Sequence, residues 1–457
     1  MRHSHRVQTL LLPAMTVALA AAAAAAAARG GTILLAVGAA AVVIGLAVAV
    51  VLPPEHVFLG WLAIAPFVQG TIGSTGASHA FRVVVYSVPP LLFVFWTLTR
   101  RRAAELTFLD ALPLLYLVLV IISARAGPGH PTTTQIYAIV GIGVAVYYFL
   151  AFGPIERDIL PRIARVLLLA GCASAAWVVV SRAAGVNSSA NQFDPTASAA
   201  RSAGTFGQPA VLGTFLGVVL VLALTILAWG GPPRLRRLSL IAIVLAIPAL
   251  VLTLTRGPLI GAGAVALLVL VTRARTRWVT VLGVVLAMTL VAGSWGDISS
   301  THLYKSRFSN TSNVQIRVVI DHLSVNLAER KPIFGWGYGS FDDVKGRASF
   351  NPRPFTRDQV LYYTSHNTFL TILAETGLVG LCLLVLPWLV LARRTLASAL
   401  RGTSQQWLLV AATSMLAVWV IAAGTFDMRF FSLAAALPWL AAGLMRRIDL
   451  DRQTSEA

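Results

Sequence analysis

The chain has 457 residues, 57% of them hydrophobic and only 12% charged, with a formal net charge of +19. Charged residues make up about a quarter of a soluble domain, so this composition excludes a soluble globular protein. The positive charge does not indicate a nucleic-acid binder either, because most arginines sit in short clusters between long apolar runs.

Apolar runs of 17 or more residues recur along the chain, each long enough to cross about 30 Å of hydrocarbon as a helix. The fold class is an all-α polytopic membrane protein. In chain order the expected spans are 9–28, 31–52, 57–72, 81–99, 106–124, 134–152, 163–183, 204–229, 238–255, 258–272, 278–294, 366–391, 406–426 and 429–445. Met1–Arg6 followed by an alanine-rich stretch resembles a signal peptide. A second apolar run follows almost at once without a clear cleavage site, so an uncleaved first hairpin is expected.

A cytoplasmic N-terminus and fourteen crossings put every arginine cluster on the cytoplasmic side: Arg100–Arg102, Arg234/Arg236/Arg237, Arg273/Arg275/Arg277, Arg393–Arg394 and Arg446–Arg447. That is the positive-inside pattern, with the clusters also attracting anionic headgroups of the membrane lipid. Miscounting one helix would reverse every later cluster. The spans near the N-terminus and around Asp427 are the weakest, which leaves about 12–14 transmembrane helices. Cys172 and Cys382 both fall inside apolar spans and read as small core residues.

Four regions result: N-terminal helices 1–183, a second set with arginine motifs 184–294, an extracytoplasmic loop 295–365, and C-terminal helices 366–457. The loop is too long for an ordinary connector. It has helical periodicity over Val314–Leu327, turn chemistry in Gly335-Trp336-Gly337-Tyr338-Gly339, and nine basic against six acidic residues.

Candidate chemistry gathers at the outer helix ends. Arg256 lies in a tight turn beside Pro258, where free backbone N–H groups and a guanidinium make an anion site. Arg201 precedes a glycine-containing stretch that permits close backbone approach. Two arginines suit a diphosphate, which guanidinium binds bidentately; taken singly, each also reads as headgroup snorkelling. His366 stands where the loop meets the helix and suits general-base work on a hydroxyl, with helix capping or interfacial hydrogen bonding as the alternative role. Glu375 lies nine residues on, about 13 Å deeper and on the opposite face of a regular helix. It aligns with Thr364, Thr368 and Thr371 and reads as a buried acceptor more readily than as a catalytic partner. Gly377 and Gly380 are expected to allow close helix packing. The Asp342–Asp343 pair reads as a solvated turn, and no metal-ligand spacing or nucleotide-binding loop is present in the sequence.

The run His366-Asn367-Thr368-Phe369-Leu370…Glu375-Thr376-Gly377-Leu378-Val379-Gly380-Leu381, behind a loop carrying Pro332–Phe341, resembles the O-antigen ligase/polymerase superfamily. Thr253-Leu254-Thr255-Arg256-Gly257 and Arg201–Gly207 are similar to two upstream motifs, so the resemblance covers roughly residues 195–395. It implies a metal-independent, inverting glycosyltransferase without a cofactor, in the cytoplasmic membrane with its active site facing outside. The implied donor is a glycan on undecaprenyl diphosphate, and the acceptor is a hydroxyl of a glycan, lipid or protein. By position, Arg201 and Arg256 would bind the diphosphate and His366 would activate the acceptor. Arg317, Tyr338, Asn367 and Glu375 are supporting candidates. A polymerase of the same superfamily is the first alternative. A lipid-linked-sugar flippase or transporter is the second, disfavoured because the ionisable candidates gather on one face with no internal repeat.

Overall fold

The computed structural model describes residues 52–68, 86–96, 106–129, 131, 136, 140–155, 158–184, 201–272, 312–400 and 406–456. The expected spans 9–28 and 278–294, nearly all of 31–52, and most of the segment 184–203 lie outside the described residues. The described helices are α1 (Pro54–Val68), α2 (Tyr86–Trp96), α3 (Phe108–Ala126), α4 (Ile142–Phe152), α5 (Ile159–Ala183), α6 (Pro209–Ala228), α7 (Pro233–Leu252) and α8 (Arg256–Val271). They continue with α9 (Ser312–Arg330), the short α10 (Phe341–Val344) and α11 (Arg357–Tyr362), then α12 (Thr368–Leu400), α13 (Gln406–Ala423) and α14 (Ser432–Glu456). No strand occurs among the described residues. Six of these helices are long and apolar enough to cross a membrane, which makes this a multi-pass α-helical membrane protein.

The most buried of the six long apolar helices is α6, packed by α5, α7, α8 and α13. By contrast, α7 exposes Leu240, Ile241, Val244, Ile247 and Val251 on one side, a face suited to lipid, where such residues need no cover. A second group of contacts joins α14 to α4, α12 and α13, and α12 to α3.

Helix ends sort onto two ends of the bundle. The first holds the entry to α6, the α7–α8 and α13–α14 turns, and the segment 312–367. At the opposite end, Arg446 of α14 forms a bidentate pair with Asp110 of α3, both distances 2.7 Å. Tyr147 donates to the same carboxylate at 2.9 Å, and Thr107 closes a capping box on it. Next to this pair, Arg447 caps the carbonyls of Gly153 and Ile155.

Several expectations need correction. Arg446, grouped with the interfacial clusters, is only 1% exposed and is consumed by Asp110. A lone buried acid needs a cation, and hydropathy alone did not signal the match. The span expected from 204 opens with a 3₁₀ turn over Gly204–Phe206 and becomes α-helical only at Pro209, whose fixed φ suits a first helical turn. Helices α12 and α14 outrun their apolar stretches, since hydropathy marks the hydrocarbon edge and not the helix end. Cys382 lies exposed on the bundle surface, not in the core.

The largest departure is inside α12. Gly377 adopts φ 66° and ψ −167° and breaks the helix there. The break exposes backbone groups that must find partners, and the loop supplies them. Trp336 N–H donates to the Ala374 carbonyl at 3.0 Å and Gly337 N–H to the Glu375 carbonyl at 2.8 Å. In return, the N–H groups of Leu378 and Val379 donate to the carbonyls of Pro332 (2.8 Å) and Ile333 (3.2 Å). Gly377 therefore admits a loop backbone, not a neighbouring helix as its spacing suggested. A Cβ there would stand 2.2 Å from the Ile333 carbonyl oxygen. The Gly377→Ala variant is expected to lose about 1–3 kcal/mol from backbone strain alone, with more from the displaced loop. A lowered melting temperature of the purified variant checks this.

Candidate active site

The site assembles at the end of the bundle that carries the loop. Ser202 N–H donates to the Leu252 carbonyl (3.1 Å) and Arg201 Nε to the Thr253 carbonyl (3.3 Å), which fastens Arg201 onto the α7–α8 turn. That turn is held by a 2.6 Å hydrogen bond between the Thr253 and Thr255 hydroxyls, with both side chains buried. Arg256 opens α8, where the first-turn N–H groups lack helical acceptors. It stands exposed beside Gly257, where a Cβ would lie 1.8 Å from Thr425 Oγ1. Only glycine lets α8 come this close to the α13–α14 turn.

That turn, Gly424–Phe431, is the hub. Arg317 of α9 donates from Nη1 to the Thr425 carbonyl at 3.4 Å. The His366 ring meets the Phe426 ring at 6.1 Å and 76°. Thr368, in the first turn of α12, donates to the Phe426 carbonyl (3.1 Å) and accepts from Met428 N–H (3.0 Å). Arg256, Arg317 and His366 thus come from three separate segments to the Gly424–Phe431 turn, through Gly257, Thr425 and Phe426, while Arg201 is fastened to the α7–α8 turn through Thr253.

His366 is half-buried, and its Nδ1 lies 2.9 Å from the Thr364 carbonyl. A carbonyl only accepts, so Nδ1 carries the proton and Nε2 keeps its lone pair. Burial, and then the Arg317 guanidinium, hold the imidazole pKa below its ordinary value, favouring the neutral form near neutrality. Asn367 serves the backbone: its Oδ1 accepts from the N–H groups of Phe369 (3.1 Å) and Leu370 (3.2 Å), capping α12.

Glu375 and Tyr338 belong to a different, buried cluster. Glu375 is 1% exposed and accepts from Gly339 N–H (2.8 Å) and Phe341 N–H (3.2 Å). Its third partner is Arg429, which also grips Asp427 through Nε (3.0 Å) and Nη2 (2.8 Å). Tyr338 is buried, donates its backbone N–H to Ser123 Oγ at 3.0 Å, and lies with its ring 5.5 Å from the Arg429 guanidinium. Sequence reasoning missed Arg429 and Asp427. The available signal was an acid and an arginine two residues apart in a short interruption between apolar runs. Asp342, read as a solvated turn residue, is exposed but engaged, pairing with Lys345 (2.7 Å) and accepting from Thr364 Oγ1 (3.2 Å).

Chemically, this end of the protein offers three guanidinium groups for an anion and a neutral imidazole for a proton. Residues 241–385 match the family model described as O-Antigen ligase. The match takes in Arg256, Arg317, Tyr338, His366, Asn367 and Glu375, and ends short of Arg201 and Arg429. No curated protein matches the chain. The matched region spans the arginine-bearing turn, the loop and the broken helix, and over this part the chain is similar to the O-antigen ligase family.

Proposed function

We propose that this chain is an O-antigen ligase-like glycosyltransferase. It moves a glycan from an undecaprenyl-diphosphate carrier to an acceptor hydroxyl on the outer face of the cytoplasmic membrane. The observation that carries the reading is the gathering of Arg256, Arg317 and His366 at the α13–α14 turn, with Arg201 bonded to the α7–α8 turn packed against it. Diphosphate departure places negative charge on phosphate oxygens, which guanidinium groups held on these turns would stabilise.

In the proposed reaction, His366 Nε2 takes the proton of the acceptor hydroxyl as its oxygen attacks the anomeric carbon. The bond from that carbon to the diphosphate oxygen breaks on the opposite side, and its electron pair leaves with the carrier diphosphate. The product therefore has inverted anomeric configuration. Arg201 and Arg256 hold the diphosphate, while Arg317 adds charge beside the base. The reaction as proposed needs no metal or cofactor.

The test is transfer by purified protein supplied with a polyprenyl-diphosphate-linked glycan and an acceptor. Intact transfer after alanine substitution of His366, Arg256 and Arg201 in turn would overturn the mechanism. Gel profiles of a deletion strain separate ligase from polymerase. Loss of attachment with carrier-linked polymer accumulating identifies a ligase, whereas a single repeat unit still attached identifies a polymerase.

The pH dependence follows from the imidazole. Its neutral form is the base, so transfer is full above the His366 pKa and falls as pH drops through it. With that pKa lowered by burial and by Arg317, the acid limb is expected below the ordinary imidazole value of 6.5. Arg317→Gln removes one of the two causes and should move the limb to higher pH, as read from kcat against pH. An unmoved limb would show that Arg317 does not act on His366.

A further inference from the structure

Arg429 and Glu375 touch no reacting group in the proposed transfer, yet both are charged, buried and bonded to each other. Removing two charges from water is costly, and an apolar pair of similar volume often packs with equal or better stability. Stability therefore does not explain the pair. What the charges supply is fixed geometry, since a guanidinium fork meets carboxylates in few arrangements.

Connections run from this pair to His366 on two sides. On the loop side, Glu375 holds the N–H groups of Gly339 and Phe341. The next residue, Asp342, accepts from Thr364 Oγ1 at 3.2 Å, and Lys345 Nζ donates to the Tyr363 carbonyl at 3.1 Å. The Thr364 carbonyl then receives His366 Nδ1. On the turn side, Arg429 holds Asp427 through Nε and Nη2. The adjoining Met428 and Phe426 are bonded to Thr368, and the Phe426 ring stands against the imidazole.

We propose that Arg429 and Glu375 are positioning residues for His366. Their ion pair sets the register between loop segment Gly339–Asp342 and turn Phe426–Arg429, and the imidazole is held between Thr364, which is bonded to the first segment, and Phe426 of the second. The inference rests on the reading of His366 as the base.

Glu375→Gln keeps the volume and one acceptor while removing the charge. Assayed as folded, monodisperse protein with a carrier-linked glycan, it should lose kcat by about tenfold or more, because an error of about 1 Å in a reacting group costs up to about 100-fold. The KM for the donor should change by less than about twofold, since the diphosphate-binding arginines are untouched. Hydrogen exchange at the Gly339 and Phe341 amides should quicken. Arg429→Lys keeps a cation without the fork and should lie between the wild type and Glu375→Gln. A folded Glu375→Gln protein transferring at the wild-type kcat overturns the proposal. So does a loss that disappears once rates are expressed per folded molecule. If Glu375→Gln does not fold, Arg429→Lys decides by the same criterion. His366→Gln, run in parallel, separates the two claims. Full transfer by His366→Gln would remove the base itself, whereas an inactive His366→Gln beside a fully active Glu375→Gln would remove only the positioning role.

Discussion

Replacing His366 with alanine is expected to lower kcat for glycan transfer by about 10²–10⁴-fold, the range that a positioned general base contributes. Folding should be little affected, for three reasons. The side chain is half-buried, its hydrogen bond among the described residues runs to the Thr364 carbonyl at the loop surface, and α12 is capped by Asn367 instead. The acid limb of the pH profile should vanish together with the imidazole. Residual transfer should be independent of pH across the imidazole range, because the arginines proposed to stabilise the leaving group stay charged there. A variant that keeps the limb would assign the titration to another group. Kinetics on the purified variant, with melting temperature as the control for folding, make this measurement.

Arg256→Ala carries the second large effect. A charged donor aimed at developing negative charge is worth about 10²–10³-fold in kcat. The loss should appear in kcat more than in the donor KM, since the charge on the diphosphate grows as the glycosidic bond breaks. Arg256→Lys should recover only part of the rate, because an ammonium keeps the charge but not the two-pronged contact with phosphate oxygens. The local fold gives no reason for collapse. Arg256 is exposed, and the close approach of α8 to the α13–α14 turn depends on Gly257, whose Cβ position is occupied by Thr425. Equal kcat for wild type and Arg256→Ala would remove Arg256 from the leaving-group site.

Much of the scaffold is legible in the sequence because membrane helices declare themselves by length and hydropathy. Each expected span that falls among the described residues contains a helix. What hydropathy does not encode is irregular backbone. The break at Gly377 depends on a loop more than forty residues upstream in its start, supplying four hydrogen bonds to a helix that reads as continuous. Glu375 was visible as a buried acceptor from its position among threonines, but its partner Arg429 lies 54 residues away in a turn of three residues. The Asp110–Arg446 pair is more distant still, at a separation of 336 residues. Local pattern locates the charged residues, while long-range geometry decides which of them meet. The arginine motifs and His366 were legible as chemistry because each stands at a helix end, where a charge is cheap to place. That Arg256, Arg317 and His366 gather around the Thr425–Phe426 turn could be read only from the packing of α8, α9, α12 and α13.

In the proposed reaction this protein breaks the bond between glycan and carrier diphosphate and does not simply move the intact lipid. The direct measurement is the release of polyprenyl diphosphate by the purified wild-type protein, followed together with glycan appearing on the acceptor. Acceptor-dependent release in a one-to-one ratio is expected, with inverted configuration at the new bond and loss of both signals in His366→Ala. Movement of uncleaved carrier-linked glycan across a vesicle membrane, with no diphosphate released, would contradict it.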